Sequence, residues 1–238
     1  MDVRITGIGP QLVIAVSGIQ GTSAVWQSIA SRLSDEATFV MPNLRARCEA
    51  EFGHDMEEYR LEYFSGDLSS VVEAHAWDRD YLLAGWSFGV SVALQYLARP
   101  GALRPKGLIL ASGNPIIGEG FAVSTTGLSG LATQIPDHEH GVGVADATDP
   151  DAVALTRRVV RGADQRALLP RITVRTLIFH GSADEECPLS GARELAHAIS
   201  GSERRVLGGG HNLPITHADA MASSIRRFIT HNTETEQV

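Results

Sequence analysis

The pentapeptide Gly85-Trp86-Ser87-Phe88-Gly89 sets a serine between two glycines. A serine hydroxyl is a poor nucleophile at neutral pH. It attacks a carbonyl only when a base takes its proton and an acid orients that base. Both partners follow later in the chain. Asp184 closes the run His180-Gly181-Ser182-Ala183-Asp184, and His211 follows three glycines in Gly208-Gly209-Gly210-His211-Asn212. Ser87, Asp184 and His211, in that order, are the candidate nucleophile, acid and base for acyl-transfer chemistry. Glu185 and Glu186 read as solvated neighbours of Asp184 rather than as the acid.

Each candidate must be carried to a common point by an element of its own. Tyr81 to Ala84 predicts a strand and Val90 to Ala98 a helix, so Ser87 lies on a sharp strand-to-helix turn. Glycines beside such a turn remove the Cβ groups that would obstruct it, and the helix N-terminus aims its free N–H groups at the serine. Asp184 follows a predicted strand over Val174–Phe179. His211 follows one over Arg204–Leu207. Further strands are expected at Leu12–Val16, Thr38–Met41 and Gly107–Ala111; the first and last are apolar throughout, as in strands buried on both faces. Helices are expected over Ser23–Leu33, Leu68–Trp77 (with Ser65 or Asp67 as N-cap), Ser190–Ile199 and His217–Ile229. The alternation predicts an α/β fold, a mostly parallel central sheet flanked by helices. The stretch from Arg45 to Ser65 reads as a charged surface excursion. Residues 114–170 break the alternation, with a helix over Asp151–Arg161 and a short turn over Ala163–Leu169. The expected organisation is therefore a core of residues 1–113 and 171–238, with a short, mainly helical lid at 114–170 over the C-terminal edge of the sheet. Ligands bind at that edge in open α/β sheets.

Composition narrows the field of partners. The 238 residues include 20 Lys and Arg against 28 Asp and Glu, a formal net charge of −8, and 43% are hydrophobic. That is an ordinary globular balance without the concentrated basic face of a nucleic-acid binder. The apolar run Leu12–Val16 is far too short to span a bilayer. The opening Met-Asp-Val-Arg lacks the basic and apolar regions of a secretory signal, so a cytoplasmic protein is expected. Cys48 and Cys187 are too few for a disulfide framework. His138 and His140 flank Glu139 without a further ligand at metal-binding spacing and read as a solvated loop, so no metal is expected. The pairs Arg157-Arg158 and Arg204-Arg205 read as solvated faces.

Through Gly-Trp-Ser-Phe-Gly at 85–89, His-Gly-Ser-Ala-Asp at 180–184 and Gly-Gly-His at 209–211, the chain resembles the α/β-hydrolase fold family. The likeness runs from about Leu12 to Ile229 and leaves the lid as the variable part. It implies Ser87, Asp184 and His211 as the catalytic residues, with the backbone N–H groups of Phe88 and Ile19 as the oxyanion hole. Ile19, Trp86 and Phe88 are also the expected substrate-binding residues, Trp86 either lining the pocket or packing under the lid. Two departures stand out. Ser17 in Ser17-Gly18-Ile19-Gln20-Gly21 replaces the histidine of the usual His-Gly-x-x-Gly, which implies a less rigid loop. Pro42-Asn43-Leu44-Arg45-Ala46-Arg47 only half matches the usual Pro-Asp-x-Arg-Gly-x-Gly, which implies a locally different loop. The activity implied is that of a serine hydrolase without cofactors. It would cleave an ester or thioester of a small, mostly apolar acyl or aromatic substrate through an acyl-enzyme on Ser87. The size and single short lid are similar to small carboxylesterases, including those that demethylate acyl-carrier esters, so a carrier-bound acyl group is among the expected partners. Lyases and slow-turnover ligand receptors use the same scaffold and stand as alternatives. So does a partner-binding role for the 45–65 segment.

Overall fold

Along the strand Gln11–Val16, side chains alternate between two faces, and both faces are apolar. Leu12, Ile14 and Val16 belong to one buried cluster, Val13 and Ala15 to another. A strand of this kind is stable only with a layer on each side. The computed structural model describes residues 2–118 and 148–234 and supplies both layers. In chain order the elements are β1 (Val3–Thr6), β2 (Gln11–Val16), α1 (Ala24–Arg32), β3 (Ala37–Pro42), α2 (Leu61–Ala76), β4 (Tyr81–Trp86), α3 (Phe88–Ala98), β5 (Gly107–Ala111), α4 (Pro150–Val160), β6 (Arg175–Gly181), α5 (Leu189–Ala198), β7 (Glu203–Leu207), α6 (Leu213–Thr216) and α7 (Ala218–Glu234). Short 3-10 turns cover Glu57–Tyr59 and Arg166–Arg171.

The seven strands form one sheet in the order β1-β3-β2-β4-β5-β6-β7. All neighbours are parallel except β1, which runs antiparallel to β3. This is the expected mostly parallel sheet with helices on both faces. Trp26 and Ile29 of α1 and Met221, Ile225 and Phe228 of α7 cover one face. Phe64 and Val71 of α2, Leu94 of α3 and Leu195 of α5 cover the other. The chain leaves β2 for β3 on one side, then crosses to β4 on the other. The carboxyl ends of β2 and β4 therefore flank the switch point, where connections diverge and leave a crevice.

Four local expectations need correction. The edge strand β1 was not anticipated, because four residues, two half-buried and two exposed, carry too little pattern. The short helix α6 was likewise absent from the sequence reading. Helix α2 begins at Leu61, seven residues before the expected start, with Arg60 at its N-cap. Neither Ser65 nor Asp67 caps it: the Ser65 hydroxyl donates to the Glu62 carbonyl within the helix, and Asp67 receives Arg45 through two bonds of 2.8 and 2.9 Å. The segment from Arg45 onward is also not simply a surface excursion. Arg47 is fully buried, with its backbone bonded to Leu44 and Ala50 in a tight double turn.

Residues 115–117 and 162–165 are joined to each other by backbone hydrogen bonds. Ile117 N–H donates to Ala163, Gly162 N–H to Ile117, and Gln165 N–H to Pro115. The Gln165 side chain then reaches the Ser91 carbonyl of α3. Between these segments, α4 is capped by Asp149, whose carboxylate accepts from Ala152 N–H at 2.8 Å. The weakly charged stretch Ala122–Ile135 and the group His138, Glu139 and His140 lie outside the described residues. Among the described residues, no helix is long and apolar enough to cross a membrane.

The double turn at 44–50 holds two non-glycine residues in the left-handed region, Ala46 at φ 61° and Cys48 at φ 52°. Cys48 is exposed, so glycine there loses no packing. Cys48→Gly is expected to raise stability by about 0.5–1 kcal/mol, the relief of left-handed strain less the greater unfolded-state freedom of glycine. Urea unfolding at constant m-value measures it.

Candidate active site

Ser87 follows β4 directly and is the N-cap residue of α3. Its backbone sits at φ 56°, ψ −121°, outside the ordinary basins of an L-residue. Its N–H donates to the Ala111 carbonyl at 2.9 Å, and its own carbonyl accepts from Val90 N–H at 3.0 Å. Backbone packs against backbone on both sides of this turn. A Cβ on Gly85 would lie 2.5 Å from the Gly89 carbonyl oxygen, and one on Gly89 would lie 2.4 Å from that of Val16. Glycine is therefore required at both positions for contact, not for its φ.

The three candidate residues meet in one line of hydrogen bonds. His211 Nε2 lies 2.8 Å from Ser87 Oγ, and Nδ1 lies 3.0 and 3.1 Å from the two Asp184 oxygens. The Asp184 side chain is fully buried, and one of its oxygens also accepts the N–H groups of Glu186 and Cys187 at 3.0 and 2.8 Å. Burial by itself would raise the Asp184 pKa. The bond and charge of His211, the Cys187 N–H and His180 outweigh it and hold Asp184 below its ordinary range. For His211, burial works downward, but the Asp184 bond, with Cys187 and Glu186, prevails and raises it to about 10. His180 sits behind the pair, fully buried, its Nε2 2.9 Å from the Cys187 carbonyl. Burial lowers its pKa and keeps it neutral.

Trp86 and Phe88 flank Ser87 and point into the fold. Trp86 is 5% exposed; its ring lies 5.3 Å from that of His211, and its indole N–H donates to the His211 carbonyl at 2.9 Å. Those are the contacts of a brace under the histidine loop. Phe88 is 6% exposed and stacks edge-on against Phe64 at 5.1 Å. Ile19 is half-buried in the loop after β2, beside the serine: a Cβ built on neighbouring Gly18 would lie 3.0 Å from Ser87 Cβ.

The two sequence departures are filled in by other groups. Ser17, standing where a histidine was expected, donates through Oγ to the Thr22 carbonyl at 2.6 Å and closes the loop. Asn43 accepts Ser23 N–H at 2.7 Å and donates to Asp2 at 2.6 Å, tying the start of α1 to the N-terminus. Two solvated-face readings are corrected. Glu186 brings a carboxylate oxygen within 3.8 Å of His211 Nε2. Arg157 turns inward from α4 to Gln20 Oε1 at 2.5 Å, and burial lowers its pKa. Sequence reasoning missed His180, Arg47 and Thr148 as neighbours of the site. Only His180, at the end of a strand, carried a signal that could have found it.

Residues 11–126 match the sequence profile of the alpha/beta hydrolase fold. A pimeloyl-[acyl-carrier protein] methyl ester esterase from Stenotrophomonas maltophilia is 23% identical over 261 residues, covering 96% of each chain. Among solved structures, an esterase from Exiguobacterium antarcticum superposes with TM-score 0.81 at 21% identity, covering 96% of this chain and 94% of its own. An enol-lactonase from Burkholderia xenovorans LB400 gives 0.77 at 22%, covering 96% of both.

The raised His211 pKa has a sign that titration can check. Its contribution to stability is fully present below pH 6.5 and is lost as the pH rises through about 10. In a histidine NMR titration, the wild-type His211 should remain protonated well above 6.5. Asp184→Asn removes the principal upward influence and leaves burial, so the transition should move down. A wild-type His211 that titrates at or below 6.5 would contradict the balance of forces described here.

Proposed function

The chain is an α/β-hydrolase-fold protein, and on that premise we propose that it is a serine hydrolase acting on carboxylic esters or thioesters through an acyl-enzyme on Ser87. The observation that carries the reading is the unbroken line from Ser87 Oγ through His211 to buried Asp184, at 2.8 and 3.0 Å, anchored on a left-handed serine.

From the neutral form of His211, whose share grows as the pH rises toward about 10, Nε2 takes the proton of Ser87 Oγ as the oxygen attacks the carbonyl carbon. Asp184 keeps the Nδ1 proton in place and stabilises the imidazolium that forms. The carbonyl oxygen becomes an oxyanion received by two N–H groups, that of Phe88 at the start of α3 and that of Ile19 in the loop after β2. His211 returns its proton to the leaving alcohol or thiol. Water then enters, gives a proton to His211 and attacks the acyl carbon; collapse releases the acid and restores Ser87. General-base help of this kind contributes roughly 10²–10⁴-fold, and each oxyanion donor about as much again. No step calls for a metal or an organic cofactor.

The substrate class is a small, mostly apolar acyl or aromatic ester, and a carrier-bound acyl ester is included. Support for the carrier comes from the Stenotrophomonas relative, whose name specifies an acyl-carrier methyl ester. The segment from 114 to 170 acts as the lid. Its described part supports this: Arg157 of α4, and Thr148 just before α4, hydrogen-bond Gln20 in the loop after β2.

A fluorophosphonate probe should add once to the wild type by intact mass and not at all to Ser87→Ala. The same substitution should lower ester turnover by at least roughly 10⁴-fold. A folded wild type that takes no adduct and hydrolyses neither esters nor thioesters would overturn the reading. Tight retention of a ligand without turnover would favour a receptor.

A further inference from the structure

The loop after β2 is pinned at successive carbonyls. Gly18 O accepts from Gly21 N–H at 3.1 Å. Ile19 O accepts from Arg47 Nη2, and Gln20 O from Thr148 Oγ1 at 3.1 Å. The Gln20 side-chain oxygen accepts from Arg157. Only the first of these is local. The other donors lie 28, 128 and 137 residues away in sequence. A trans peptide directs its N–H opposite to its C=O. Gly18 O turned inward to Gly21 therefore turns the Ile19 N–H outward from the turn. The remaining freedom lies in the next peptide, and Arg47 holds that one.

Arg47 is an unusual group for such a task. It is fully buried, and its guanidinium donates to two carbonyls, those of Arg45 at 2.5 Å and Ile19. Its Nε has no hydrogen-bond partner, and no carboxylate among the described residues forms an ion pair with it. Burial lowers its pKa to about 10, against the pull of Tyr59 and Asp149 and with the push of Arg45. A buried cation without a bonded carboxylate is costly, and closing a loop does not require one. Its backbone is secured from the 114–170 segment as well: Arg47 bridges Thr148, and Asp149 N–H donates to the Ala46 carbonyl at 3.3 Å.

We propose that Arg47 is a positioning residue for the oxyanion hole, holding the Ile19–Gln20 peptide next to the one that carries the Ile19 N–H, while Thr148 and Arg157, from the 114–170 segment, fix Gln20. The lid base and the oxyanion loop thereby form one clamped unit. This inference rests on Ser87 as nucleophile and on Ile19 N–H as an oxyanion donor.

The test measures kcat and KM with an aryl ester for the wild type, Arg47→Gln, Arg47→Lys and Thr148→Val. It adds inhibition by an arylboronic acid, in which the serine oxygen bonds to boron, its proton passes to His211, and a tetrahedral anion results. Arg47→Gln should lower kcat by roughly 10- to 100-fold with KM changed less than about threefold, a smaller loss than deleting a donor outright. Boronate affinity should fall by the same factor. Arg47→Lys keeps the charge and one donor and should recover part of the loss. Thr148→Val removes only the Gln20 carbonyl bond and should fall between wild type and Arg47→Gln. A folded Arg47→Gln with wild-type kcat and boronate affinity refutes the proposal and leaves a structural role only. Should Arg47→Gln fail to fold, Thr148→Val decides: unchanged kcat and boronate affinity refute it. A wild type that is neither labelled by fluorophosphonate nor active overturns the hydrolase reading itself, and this inference falls with it.

Discussion

The turn from β4 into α3 holds Ser87 in the left-handed region, and there is room for it only because residues 85 and 89 carry no Cβ. With the hydroxyl lifted clear of the sheet, the other parts of the site are arranged around it. The Gly89 backbone lies against the Val16 carbonyl, which locks the start of α3 to the end of β2. The same contact brings the loop at 17–22 beside Ser87. Trp86, one residue before the serine, extends in the other direction to the His211 carbonyl. A single strained turn thus fixes two of its partners through backbone contacts alone.

The electrostatics follow from burial. Asp184, His211 and Arg47 are each removed from water, and each desolvation works against the charged form. Asp184 recovers it through His211 and two backbone N–H groups, and His211 recovers it from Asp184. His180 has a carbonyl rather than a bonded carboxylate on Nε2, so burial prevails and it stays neutral. Two histidines at the ends of adjacent stretches of the sheet therefore have opposite protonation tendencies. The difference is the hydrogen-bond geometry of one aspartate, which lies 3.0 Å from His211 but 3.6 Å from His180.

Much of the site was legible in the chain because local pattern and local chemistry coincide there. Apolar runs at Leu12–Val16, Tyr81–Ala84 and Gly107–Ala111 are strands because both faces are buried. The glycine spacing around Ser87 is legible because crowding at a strand-to-helix turn leaves no other residue. Asp184 and His211 could be found because each follows a strand directly. The start of α2 was not legible: its first turns mix Leu61 and Phe64 with charges, and the reason they form a helix is that Phe64 packs on Phe88 and Arg45 pairs with Asp67. Both partners are remote in sequence.

The sequence by itself determined the order of the main elements, the mostly parallel sheet and the serine, aspartate and histidine as candidates. Periodicity and turn chemistry act over a few residues, and those features need no more. The tertiary structure decided which surroundings the site has. Arg47 reads in the chain as one more charge in a polar loop, yet it is the buried donor to Ile19. Arg157 and Glu186 read as solvated, yet they stand over Gln20 and His211. Hydrogen bonds that span 28 to 137 residues leave no local signature, because the loss of water that gives them their strength exists only once the sheet has brought the loops together.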